Sequence, residues 1–187
     1  MLKKGDVPLE FTLSYPDQGI YPRLAELIQQ NWATLGVKVN LDGLPYDSLL
    51  KDHLEQRNYQ AALVDLNLSH ASDPDPYPFW DQEQISAGQN YSQWVNRAAS
   101  EYLEQARTTA DIGERTVLYR NFQMIFAKEL PALPLYYPVY TYAIDRSIQG
   151  VRVGPLFDPS DRFSTITEWF LTGKRPQEKT GNATAIP

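Results

Sequence analysis

From Leu9 to Tyr15 apolar and polar side chains alternate, with Leu9, Phe11 and Leu13 set against Glu10, Thr12 and Ser14, the period of a strand with one packed face. The period then lengthens. Leu24, Leu27, Ile28, Trp32 and Leu35 form one stripe at helical spacing between Tyr21 and Leu35; Pro22 suits an early helical position and Gly36 a C-terminal cap. Val37 to Leu41 alternates again, Tyr46 to Gln56 reads as a shorter helix, and Tyr59 to Ser69 reads as a third strand. In that strand the spacing puts Ala62, Val64, Leu66 and Leu68 on a packing face and Asp65, Asn67 and Ser69 on the other. The order β-α-β-α-β predicts an α/β fold with a mixed, mostly parallel sheet and flanking helices.

After Ser69 the pattern breaks. Pro74, Pro76 and Pro78 fix φ and remove backbone donors, so the chain is expected to leave the sheet as a stiff loop carrying Asp73, Asp75, Tyr77, Phe79 and Trp80. In an open α/β sheet ligands sit beyond the carboxyl ends of strands, which makes this stretch the expected centre of function. Helical periodicity returns in Asn96 to Thr109, with Ala99, Tyr102, Leu103 and Ala106 on one side. Asp111 to Glu114 then looks like a capping box opening a helix to about Lys128, with Val117, Leu118, Phe122, Ile125 and Phe126 inward. Leu133 to Ile144 is rich in tyrosine and β-prone, and Pro138 marks it as an edge or bent strand. A short apolar segment follows at Ile166 to Leu171, and the polar tail from Lys174 onward is expected to be disordered, leaving a single lobe over 1–173.

Charge and composition narrow the function. A chain of 187 residues with formal net charge -6 and no basic run lacks the surface that neutralises phosphates, so nucleic acid is not an expected partner. Without cysteine there is no thiol chemistry, and His53 and His70 alone make a metal site or a cofactor an unfavoured expectation. No apolar run approaches the ~20 residues that cross a bilayer, and Met1 to Asp6 is not followed by a signal-peptide core. Asp73 and Asp75 could form an acid and base pair, but in a proline-fixed loop carboxylates serve as turn formers and helix caps. Trp32 reads as core. Trp80 and Trp94 divide between cleft and packing, because an indole carries a donor that needs a partner.

Taken together, these motifs and their order resemble the carboxy-terminal lobe of family 5 extracellular solute-binding proteins. The resemblance lies in the helix ending at Leu35-Gly36-Val37-Lys38-Val39, the strand running into Asp73-Pro74-Asp75, Gln89-Asn90-Tyr91-Ser92, the hairpin around Asp111 to Arg115, and Pro131-Ala132-Leu133-Pro134-Leu135-Tyr136-Tyr137. It covers about residues 7 to 172. It implies a type II periplasmic-binding-protein-like lobe whose missing amino-terminal lobe and export signal lie outside this chain. It also implies capture of a peptide or other small polar solute, delivery to an ABC permease, an extracytoplasmic location and no bond chemistry.

Family members that bind peptides commonly place an Asp three positions before the Asp-Pro pair to receive the ligand's amino group. That position is His70 here, which does not carry a fixed negative charge at neutral pH. The position often held by Trp in the family is Asn67. The expected ligand-binding set is therefore Asn67, Ser69, His70, Asp73, Asp75, Tyr77, Trp80, Tyr91 and Trp94, the aromatic members offering stacking faces and hydroxyl or indole donors. The alternatives are a carboxylate-dependent hydrolase of a sugar or peptide, or an interaction module. Removing a partner lobe would expose Tyr136, Tyr137, Tyr140 and Tyr142 in part, and self-association of the lobe through that region is expected.

Overall fold

In a computed structural model the described residues are 3–4, 7–68, 74–137, 139, 141–154, 156 and 158–172. Contacts divide the chain into two compact units, one formed by Met1–Leu68 with Asp75–Pro134 and the other by Ser69–Pro74 with Leu135–Pro187. Two short strands, β1 (Lys3–Lys4) and β2 (Val7–Pro8), pair antiparallel at the start of the first unit.

The alternating stretch at residues 9–15 forms β3 (Glu10–Pro16), followed by α1 (Tyr21–Thr34) and β4 (Lys38–Leu44). Strands β3 and β4 pair in parallel over their full length, with Glu10 opposite Lys38. That register is marked by a 2.8 Å ion pair between these two side chains, and the Asn40 amide donates to the same carboxylate. These donors hold the exposed Glu10 carboxyl below its usual range, Lys38 foremost. Gly36 adopts φ +78 and turns the chain out of α1 with its N–H on Ala33 O, the geometry expected of a helix-ending glycine.

Helix α1 covers the sheet through Ala25, which is buried, and through Tyr21, Leu24, Ile28 and Trp32, which pack around Leu13, Val37, Val39 and Leu63. The Trp32 ring meets Phe11 edge-on, centroids 5.4 Å apart. Leu27 and Leu35 depart from the expected stripe and are exposed. Leu27 lies on the margin of the face centred on Tyr21, Ala25 and Ile28, and Leu35 falls beyond the last helical residue, so neither reaches the sheet.

The segment expected as one helix from Tyr46 to Gln56 begins as α2 (Tyr46–Ser48) and widens at once into a π-helical turn, Leu49–Leu54, in which Glu55 N–H reaches Leu50 O. The third strand is much shorter than its periodicity predicts. β5 comprises Ala61–Ala62 alone, parallel to β3, and residues 63–68 have no regular structure. Its phase is also reversed. Ala61 pairs with the buried Leu13, so Ala61 and Leu63 face the α1 core while Val64 is exposed. Pairing across the sheet sets which face packs, and a strand rich in small apolar residues on both faces does not declare it.

The proline-rich stretch, expected as a loop, holds a helical turn α3 (Tyr77–Trp80), followed by α4 (Gln84–Ala87). Helices α5 (Arg97–Thr108) and α6 (Ile112–Glu129) form the expected hairpin. Asn96 caps α5 by accepting from Ala99 N–H at 2.9 Å, and Asp111 caps α6 by accepting from Glu114 N–H at 2.8 Å. Ala99, Leu103 and Phe122 form a second core. Val117, expected inward, is exposed, because the packed face of α6 runs through Tyr119, Phe122, Ile125 and Phe126.

The expected strand from Leu133 to Ile144, which begins in the first unit and runs into the second, is absent among the described residues, which are irregular there. Strands β6 (Ile148–Gln149) and β7 (Phe170–Leu171) pair antiparallel, with 3-10 turns at Pro159–Phe163 and Ile166–Glu168 between them. Phe163 packs beside Tyr142 and Trp169, with Arg162 over the Phe163 ring at 4.5 Å. The expected tail from Lys174 lies outside the described residues.

Candidate functional site

Strand β3 lies between β4 and β5, all parallel. The chain leaves β3 through α1 to one neighbour and later crosses to the other, and at such a reversal in an open α/β sheet the carboxyl ends of the strands are where ligands sit. Three features lie at these strand exits. Asp17 N–H bonds Leu44 O at 2.8 Å, joining the exits of β3 and β4. Tyr21, the first residue of α1, donates its hydroxyl to the Asp65 carboxylate just beyond β5. Asn67 follows and is exposed. A fixed carboxylate, an amide and a tyrosine hydroxyl are groups that orient a polar solute. Ser69, His70 and Asp73, which continue this segment, lie outside the described residues.

Asp75 is engaged elsewhere. One carboxylate oxygen accepts from Tyr77 N–H at 3.1 Å, and the other is 2.9 Å from Arg107 Nε on α5. The same guanidinium lies over the Tyr77 ring at 4.3 Å. Asp75 thus accepts from the first N–H of α3 and ties that turn to α5, the structural role that a carboxylate between prolines favours. Tyr77, Trp80 and Trp94 come together against the Ala99, Leu103 and Phe122 core. Trp80 meets Phe126 edge-on at 4.7 Å, and Trp94 Nε1 donates to Glu129 at 2.7 Å. Desolvation pushes the Tyr77 phenol up, and the Asp81 charge adds to it.

Tyr91 stands apart from these rings. It lines a cavity of about 560 Å³ together with Leu50, Glu55, Pro78 and Gln89, and Arg57 lies over its ring at 4.9 Å. Burial raises the Tyr91 phenol and the Arg57 charge partly offsets that rise. Arg57 is itself fastened to the carbonyls of Leu54, Ile85 and Gly88, at a backbone φ of +56. The Tyr59 hydroxyl donates to Tyr91 O, so this loop pair is closed from both sides.

Periodicity gave no warning of Arg57, Asn90 or Asp81. Asn90 is fully buried and donates to Asp81 O and Trp94 O, both at 3.0 Å, while its own oxygen accepts from Ser92 Oγ at 2.8 Å. Asp81 is equally buried: one carboxylate oxygen accepts from Glu83 N–H and the other has no partner among the described residues. Polar residues in a turn look alike in sequence whether they face water or close a core. Among the described residues no cluster of three His, Cys, Asp or Glu could hold a metal ion, and no helix is long and apolar enough to cross a membrane.

No family model matches the chain. Curated relatives are nonetheless clear. The chain is 26% identical to the di/tripeptide-binding protein 2 of Pseudomonas aeruginosa over 155 residues, 81% of this chain and 29% of that protein. It is 29% identical to the oligopeptide-binding protein OppA of Bacillus subtilis, covering 80% of this chain and 27% of that one. With the dipeptide-binding protein of Escherichia coli it shares 26% identity, over 72% of this chain and 25% of the relative. The chain therefore spans less than a third of the length of these relatives. Among solved structures, the oligopeptide-binding protein AppA of Bacillus subtilis in complex with a nonapeptide superposes with a TM-score of 0.69 at 22% identity, over 88% of this chain and 32% of that one. HbpA2 of Haemophilus parasuis superposes with a TM-score of 0.70 at 22% identity, over the same shares. The fold is that of type II periplasmic binding proteins.

Proposed function

We propose that this chain, a relative of the family 5 extracellular solute-binding proteins, acts as one lobe, residues 1–173, of a two-lobed protein that captures a peptide or other small polar solute outside the cytoplasm and presents it to an ABC permease. The observation that carries this reading is kinship with peptide-binding proteins over about four-fifths of the chain. In support, the parallel sheet carries Tyr21, Asp65 and Asn67 beyond the ends of β3 and β5, the place where open α/β sheets take their ligands. Asn67, Ser69 and His70 contact the solute in this reading, with Asp73 bordering it, and Tyr91, held by Tyr59 ahead of β5, is not among its contacts. Asp75, Tyr77, Trp80 and Trp94 hold the following segment against α5 and α6. The engagement of Asp75 by Tyr77 N–H and Arg107 weighs against the carboxylate-pair hydrolase.

Calorimetry on the intact two-lobed protein with short peptides, free and N-acetylated, tests the proposal. Wild type is expected to bind both with little preference, because His70 offers no fixed charge to an ammonium at neutral pH. The His70→Asp variant is expected to favour the free amine. Heats that stay at baseline for peptides, amines and sugars alike would remove solute capture, and steady turnover of peptide would replace it with hydrolysis.

A further inference from the structure

Strand β5 pairs with β3 over two residues, and Leu63 N–H, bonded to Ser14 O at 2.9 Å, extends that pairing by one step. Residues 63–68 then run without regular structure, and Val64, Asp65 and Asn67 are exposed, so packing does little to fix the direction of the chain there. A bond from another element does. The Tyr21 hydroxyl donates to the Asp65 carboxylate, 44 residues away in sequence. Tyr21 is firmly placed: it is the first residue of α1, Pro22 follows it, and its ring packs against the core that contains Leu13, Val39 and Leu63. We infer that Tyr21 is a positioning residue for solute capture: by holding Asp65 it sets the course of the segment that carries Asn67, and it acts from α1 without touching the solute. The inference rests on the solute-binding reading and adds to it a residue from outside the solute-contacting segment.

Distance and energetics support this role. Asn67 lies two residues beyond Asp65, within about 7 Å of chain, so a fixed Asp65 leaves Asn67 little room to wander. A phenylalanine at position 21 would supply the same ring to the core, and only the hydroxyl reaches the carboxylate. Asp65 is open to water, and a bond to such a group is exchanged for bonds to water on unfolding, so it adds little to net stability. Its effect falls on the order of the segment before the solute arrives, and a group held in place beforehand loses less freedom on binding.

The test is calorimetry on the intact two-lobed protein with alanine peptides of about two to five residues, beside thermal melts of each variant without peptide. Tyr21→Phe is expected to weaken binding at least about fivefold while its melting temperature stays within about 2 °C of wild type. Asp65→Ala is expected to lose as much affinity, and the double variant no more than either alone, because both changes break one bond. Asp65→Asn keeps an oxygen that accepts from the hydroxyl and is expected to recover most of the affinity lost in Asp65→Ala. Wild-type affinity in Tyr21→Phe overturns the inference and leaves solute capture standing. So does an Asp65→Asn variant as weak as Asp65→Ala, since the charge then meets the solute directly. Losses that add in the double variant, or that accompany a lowered melting temperature in Tyr21→Phe, overturn it as well. A wild type that gives no heat with any of these peptides removes the solute-capture reading, and this inference with it.

Discussion

The α5–α6 hairpin and the stretch from Leu135 to Leu171 are both rich in aromatic and aliphatic residues, yet only the hairpin buries them. In the hairpin Ala99, Leu103 and Ala106 are completely covered and Phe122 nearly so, with Trp80, Trp94 and Phe126 closing around them. In the later stretch the aromatic contacts of Tyr142, Phe163 and Trp169 are local, and Leu135, Tyr136, Tyr137, Val139, Phe170 and Leu171 are at least half exposed. The difference lies in periodicity and not in hydrophobicity. A helix repeats its apolar face every turn and so matches a second helix all along its length. An irregular chain with prolines at 131, 134 and 138 offers no repeating face, and its apolar groups are buried only if a large partner supplies the matching surface.

Mutations that truncate each region should separate the two. Phe122→Ala is expected to cost about 3–5 kcal/mol, the usual loss for a buried aromatic ring, read as a lowered midpoint in denaturant melts. A change under about 1 kcal/mol would mean that the hairpin core is loosely packed. Asn90→Ala should cost about 1–3 kcal/mol, because it leaves Asp81 O and Trp94 O without their amide donor in a buried setting. Asn96→Ala should cost about 1 kcal/mol through the lost cap of α5, with Asn96→Asp retaining most of the stability. Tyr137→Ala, in the other region, should stay within about 0.5 kcal/mol in the isolated chain. A larger loss would show that the second unit contributes to the stability of this chain by itself, and the contrast drawn above would fail.

The smallest expected effect concerns pH. Glu129, at the end of α6, accepts from Trp94 Nε1 and from the Asn96 side chain at 2.8 Å, and these bonds hold its carboxyl below the ordinary value of 4.5, Trp94 foremost. A depressed folded-state value means that the clamp stabilises fully above the unfolded-state pKa near 4.5 and is lost as pH falls through the lower folded-state value. The stability difference between wild type and Glu129→Gln should therefore narrow as pH falls below about 4.5. The Trp94 indole N–H resonance should move over the same range. A difference that stays constant down to acid would show that the indole bond does not depend on the charge.

Much of the fold was legible because local period reports local structure. Leu9 to Tyr15, the helix from Tyr21, the turn at Gly36, the caps at Asn96 and Asp111 and the inward face of α5 were each specified by residues within one or two turns of one another. The site was less legible. Asp75 and the rings of Tyr77, Trp80 and Trp94 carry the chemistry of a ligand cleft, and their residue types do not disclose that Arg107 and the α5–α6 core take them. Tyr21 and Asp65 are far apart in sequence and meet only because β5 lies beside β3.

Short-range patterns and motifs in series sufficed for the β-α-β-α-β order through β5, the parallel α/β class and the resemblance to solute-binding proteins. Tertiary structure decided the phase and length of β5, where Leu13 opposite Ala61 turns Leu63 inward and leaves Val64 outside. It also decided the fate of residues 133–144, which favour a strand by composition but form none among the described residues. The physical reason is the same in both places: a strand exists only through hydrogen bonds to a neighbour, so its register and even its existence depend on which chain lies beside it.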